Sequence, residues 1–183
     1  YIAEPVGCCT DLVATVSRPL RQLHGDDYVI SPLSVMVDPV RAGRVLGLQR
    51  GAGFSPDVIY IYEKQLEEAH VIVINKSDLL GPAALNELDQ ALSERFPRAV
   101  TFTVSARRGD GLSKWFDHVL RSTMPPGAAM ELDYDRYARG EASLAWLNCA
   151  VRADSELPID SNELLLDLAQ NLHRALVERR HEV

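Results

Sequence analysis

Three short apolar runs constrain this chain more than anything else in it: LSVMV at 33–37, VIVI at 71–74 and VTFTV at 100–104. Each is rich in β-branched residues, and the first two show little alternation of apolar with polar. An alternating strand buries one face, whereas an unbroken apolar run needs cover on both, which is the situation of strands in a parallel sheet. Between and after the runs lie segments with helical spacing: 57–69 carries Ile61, Gln65, Leu66 and Ala69, then Leu85, Leu88, Leu92 and Phe96 follow as one stripe, and Trp115, Phe116 and Val119 mark a third. Parallel neighbours require a crossover, so strands at 29–38, 70–74 and 99–106 alternating with these helices predict an α/β fold with helices on both faces of a parallel sheet.

The flanks are read in the same way. Residues 1–3 are expected to be the tail of a further strand, EPVG the loop after it, and 10–23 a helix on Leu12, Val13, Val16, Leu20 and Leu23 whose last turns Pro19 disturbs. A short helix is expected over 41–48 before the Gly-rich GAGFSP. The second crossover helix should start at Gly81-Pro82, with proline in the first turn. MPPG at 124–127 breaks the pattern, and from there a smaller α/β module is expected over 124–183, so that 1–123 form the first domain. In the second module a strand is expected at 144–151 and a helix from Asp160, with Glu163 completing a capping box and Leu165, Leu168, Ala169, Leu172 and Leu176 as a packing stripe.

Composition excludes several classes. The 183 residues are 46% hydrophobic and 25% charged, ordinary for a globular protein, and the net charge of −7 opposes general nucleic-acid binding. No apolar run approaches the ~18–20 residues of a membrane span and no basic segment leads into an apolar one, so a cytoplasmic protein is expected, without a membrane or nucleic-acid partner. Three cysteines, two of them adjacent, make no extracellular disulfide framework. The opening at Tyr1 inside an apolar run and the ending RRHEV suggest a C-terminal fragment.

A parallel sheet of this type binds ligands beyond the carboxyl ends of its strands. There the second run leaves through Asn75, Lys76, Ser77 and Asp78, and the third through Ser105, Ala106 and Arg107. A carboxylate can accept two N–H bonds from a guanine edge, an amide side chain can serve the other edge of the base, and a lysine stem can lie over the ring. Adenine would leave the Asp78 carboxylate unpaired, which costs more than a missing favourable contact. The plainer alternative is that Asn, Ser and Asp are turn and cap residues. Asp11 and Asp38 are read as helix-start and strand-end residues, and His70 and His118 as structural.

These residues resemble the guanine-specificity motifs of P-loop GTPases, with NKSD matching NKxD and SAR the SAK-type motif one helix and one strand later. EPVG looks like the ExxG segment of the metal-insertion GTPases typified by CobW, HypB and UreG. VGCCTDLVATV, PLSVMVDP, YEKQLEEAHVIVINKSDLL and SARRGDGLSKWFDHVL resemble the CobW-like subgroup, so that the likeness spans about 2–121. It implies a P-loop NTPase domain, incomplete at its N-terminus. GTP or GDP would be bound by Asn75, Lys76, Asp78, Ser105, Ala106 and Arg107. Glu4 would hold Mg²⁺ through water, Gly7 would allow close approach to the γ-phosphate, and GTP hydrolysis would be coupled to metal delivery to a metalloprotein client. A homodimer is left open.

Cys8 and Cys9 are candidate ligands of Zn²⁺ or another transition metal, with His24 a remote third, against a packing role for small cysteines; Cys149 is read as core. The chain departs from the family in having no GxxxxGK[ST] loop and no CxCC motif, both expected upstream of Tyr1. Without them this piece should bind nucleotide weakly and hydrolyse essentially none. The rival readings are a nucleotide-indifferent interaction module and a related P-loop ATPase or kinase.

Overall fold

The computed structural model describes residues 1–51, 53–125, 130–144, 150–152, 154–155 and 158–179, in two compact units, Tyr1–Leu144 and Ala145–Val183. The first unit is built on a parallel three-stranded sheet in the order β1 (Ser34–Val37), β2 (Val71–Ile74), β3 (Val100–Thr103). Ser34 pairs with Val71 and Val71 with Val100, so the three strands run in step and end at one level. Chain order is α1 (Arg18–His24), β1, α2 (Pro39–Val45), α3 (Pro56–Glu68), β2, α4 (Pro82–Arg95), β3, α5 (Leu112–Arg121) and α6 (Tyr134–Ser143).

The unbroken apolar run of β2 is explained by its central place: all four of its residues are fully buried. Ile72 and Ile74 meet Val37, Leu66, Leu88, Leu92 and Phe96 on the face covered by α2, α3 and α4. Val71 and Val73 meet Val104, with Phe102, Leu112 and Trp115, on the face covered by α5. The Leu88, Leu92, Phe96 stripe is therefore core as its spacing predicts, and Pro82 occupies the first turn of α4 after the Gly81 cap.

Elsewhere the structure corrects the expectation. Among the described residues β1 is an edge strand rather than one covered twice: Met36 is half exposed, because α5 covers β2 and β3 and touches β1 at its start, where Trp115 Nε1 donates to Ser34 Oγ, 3.1 Å. Residues 1–3 join no strand. Tyr1 and Ile2 are fully exposed, and the Tyr1 ring makes an edge contact with Tyr28. Pro19 does not disturb the last turns of its helix but the turns before it. Lacking an N–H, it falls at the start of regular α1, and the preceding Val13–Ser17 turn is π-helical, with Arg18 N–H donating to Val13 O. Phe116 of α5 is also half exposed, on the outer side of its helix.

The first unit extends past residue 123, where a boundary was expected, because α6 packs along α3. Asp133 caps α6 through Arg136 N, 3.0 Å, and its own N–H donates to Tyr60 Oη, 2.8 Å. Arg136 and Arg139 both reach the Asp57 carboxylate, at 3.3 and 3.0 Å, and the Arg136 guanidinium lies over the Tyr60 ring. The Arg139 hydrogen bond, then its charge and Arg136, outweigh desolvation and hold Asp57 below the ordinary carboxylate pKa. Gly140 lets the two helices approach: a Cβ there would lie 2.6 Å from Asp57 O and 2.7 Å from Ile61 Cδ1. Alanine gains about 1 kcal/mol of helix propensity over glycine, yet Gly140→Ala is expected to destabilise by about 1–2 kcal/mol through overpacking. Urea unfolding measures it, and a stabilised variant would show that α6 can lift from α3 at no cost.

In the second unit, α7 (Ser161–Glu178) starts at Asp160, whose carboxylate accepts from Asn162 N and Glu163 N, 2.9 and 3.2 Å. Its expected packing stripe is exposed at Leu165, Leu168 and Leu172. The reason is that nothing among the described residues covers it. Most of the strand expected at 144–151, and the Cys149 reading with it, lie outside the described residues.

Candidate functional site

The carboxyl ends of the three strands bring Asp38, Asn75, Lys76, Asp78, Ser105 and Ala106 together. Because the strands end in register, the residue after each faces its neighbour across the top of the sheet. Asn75 N–H continues the ladder to Val37 O, 3.1 Å, and Ser77 N–H binds Val104 O, 3.1 Å. Between these two bonds the chain turns on Lys76, whose left-handed backbone (φ 57°, ψ 37°) is unusual for a non-glycine residue. The turn places Asn75 and Asp78 side by side.

Asn75 Oδ1 accepts two N–H bonds, from Lys76 at 2.8 Å and from Ala106 at 3.0 Å, which ties the second polar loop to the third. With its oxygen engaged, the Asn75 amide presents its NH₂ as the group available to a ligand. The Ala106 N–H is satisfied by Asn75, since the two residues sit at adjacent strand ends. Asp78 Oδ1 accepts from Ser105 Oγ at 2.6 Å, and Ser105 is fully buried. That hydrogen bond first, then the backbone N–H and the charges of Arg108 and Arg107, outweigh desolvation and hold Asp78 below the ordinary carboxylate pKa. It is ionised and acceptor-only at neutral pH. Arg107 is exposed and acts on Asp78 through charge.

The loop after β3 is shaped by its glycines. Ser105 and Asp110 form an antiparallel bridge, with Ser105 N–H to Asp110 O at 2.9 Å, and Gly109 N–H returns to Ser105 O at 2.8 Å. Gly109 and Gly111 close it at φ 83° and 75°. A cleft of about 460 Å³ opens beside Asp78 toward α4, lined also by Leu85, Asn86, Asp89, Arg108 and Asp110. Asn75, Lys76 and Ala106 do not line it, so the cleft and the expected base contacts share Asp78 but face different sides of it.

Lys76 Nζ lies 2.9 Å from Asp38 Oδ2. The other oxygen of Asp38 caps α2, accepting from Val40 N and Arg41 N at 3.0 and 3.1 Å. Sequence reasoning set Asp38 aside because the Asp-Pro pair has an adequate local role, and no signal in the sequence links it to a lysine 38 residues away.

Gly7, Cys8 and Cys9 are held by α3 and α6. Gln65 Nε2 of α3 donates to Gly7 O and Cys9 O, at 2.7 and 3.0 Å. Tyr137 Oη of α6 donates to Cys8 O at 3.2 Å, and Cys8 Sγ donates to Glu141 Oε1 at 3.3 Å. Burial, then the Glu141 hydrogen bond and charge, push the Cys8 thiol up in pKa. Glu4 is exposed, and Gly7 has an ordinary φ with open space where a Cβ would be. Among the described residues no group of three or more His, Cys, Asp or Glu could hold a metal ion. Asp11, also set aside from sequence, has φ 58° and a buried Oδ1 without a partner among the described residues.

No family model, no curated protein and no solved structure matches this chain.

Proposed function

We propose that the chain reads the base of a guanine nucleotide through Asp78, Asn75 and the Ser105–Ala106 turn, and that it belongs to a CobW-like P-loop GTPase that couples GTP hydrolysis to metal delivery. One observation carries the base reading: an ionised Asp78 oriented by a buried Ser105 hydroxyl, beside an Asn75 whose oxygen is already occupied. Asp78 would accept the N–H groups of a guanine edge, the Asn75 NH₂ would donate to an acceptor on the base, and the Lys76 stem would flank the ring. The GTPase part rests on the likeness of EPVG, NKSD and SAR to that family. Phosphate chemistry is not assigned to any side chain here, because the chain contains no GxxxxGK[ST].

Saturation-transfer NMR with GDP and ADP on the 183-residue chain tests the reading. GDP should bind weakly and ADP at least tenfold more weakly still. Equal binding of the two, or none of either, would remove guanine recognition and leave an interaction module, a reading that the exposed leucines of α7 favour.

A further inference from the structure

We propose that Asp38 is a positioning residue of this site, holding the Lys76 stem where a base would lie against it; the proposal rests on the guanine reading above. Three observations carry it. The carboxylate is divided between two tasks, with Oδ1 fixed by the N–H groups of Val40 and Arg41 and Oδ2 on Lys76 Nζ. A carboxylate clamped at a helix N-terminus cannot follow a wandering ammonium, so the ammonium must come to it. Second, the Lys76 backbone sits in the left-handed region, which aims the side chain from the end of β2 back toward the end of β1. Third, Asn75 N–H to Val37 O fixes the spacing between the two strand ends on which the pair is built.

Desolvation alone would raise the pKa of Asp38, but the Lys76 hydrogen bond, the Arg41 and Val40 N–H groups and the Lys76 charge outweigh it and keep the carboxylate below its ordinary value. The Asp38 carboxylate is therefore charged throughout the neutral range. Lys76 is more than half exposed, so the bond contributes little to folding. Its effect is to restrict a long side chain that would otherwise lose rotamer freedom on covering a ligand. Asp38 touches no ligand in this scheme and acts only through Lys76.

The test is a double-mutant cycle on GDP binding with Asp38→Asn, Lys76→Met and the pair combined, ADP serving as the control nucleotide. Asparagine caps a helix as well as aspartate does, so Asp38→Asn keeps α2 and removes the charge; thermal unfolding checks that it does. The expected result is a loss of GDP affinity of about threefold in Asp38→Asn, with no further loss when it is added to Lys76→Met. Additive losses, or an unchanged Asp38→Asn, would make Asp38 a cap and nothing more while leaving the base reading intact. If the unmodified chain shows no preference for GDP over ADP, the base reading falls and this proposal with it.

Discussion

Asp78→Asn is expected to move the base preference of the chain from guanine to xanthine nucleotides, with a change in the GDP to XDP affinity ratio on the order of a hundredfold. The direction follows from donor and acceptor counting. Ionised Asp78 offers acceptors only, matching the N–H groups of guanine, whereas asparagine carries an NH₂ that suits the carbonyl xanthine has in place of guanine's amino group. The magnitude follows from the cost of a mismatch. Ser105 already donates to Asp78 Oδ1, so a guanine edge would have to pair with the acceptor capacity that is left, and leaving it unpaired in a complex would cost more than a lost favourable contact. Competition of XDP against GDP on wild type and variant measures the ratio. An unchanged ratio, with the variant folded, would take Asp78 out of the site.

Gly111→Ala is expected to destabilise the first unit by about 3 kcal/mol and to disorganise the loop that carries Ser105. Two effects add. The backbone at Gly111 has φ 75°, strained for any residue with a Cβ, and an added Cβ would fall on the Thr103 carbonyl oxygen, which is main chain at the end of β3 and cannot swing aside. Relief requires the Ser105–Asp110 bridge to open, and that bridge sets where the Ser105 hydroxyl meets Asp78. Urea unfolding should therefore show a lower midpoint at unchanged slope, and any preference for GDP over ADP should fall in parallel. A loss below about 1 kcal/mol would mean the loop has room that the Thr103 contact denies it.

Much of the fold was legible before the structure because it is written in periodicities. The unalternating VIVI run announces a strand buried on both faces, and the Leu88, Leu92, Phe96 stripe announces a helix lying on it. The site was legible where it follows from that order: strands that end in step must bring NKSD and SAR together, and they do so at Asn75–Ala106 and Asp78–Ser105. What was not legible are contacts with no period. Lys76–Asp38, Cys8–Glu141 and Arg139–Asp57 join residues 38, 133 and 82 apart, and each partner has an adequate local role when read alone.

The sequence by itself determined the succession of strands and helices, which faces of β2 and α4 are buried, and which polar side chains stand at the strand ends. All of these depend on neighbours within a few residues along the chain. Only the tertiary structure decided that β1 is an edge with Met36 exposed, that α6 closes on α3 at Gly140, that Gly7, Cys8 and Cys9 lie against Gln65 and α6, and that Lys76 is held by Asp38. A pattern of apolar residues says that a face is covered but not by what, and the position of a long side chain depends on every element that reaches the same point in space.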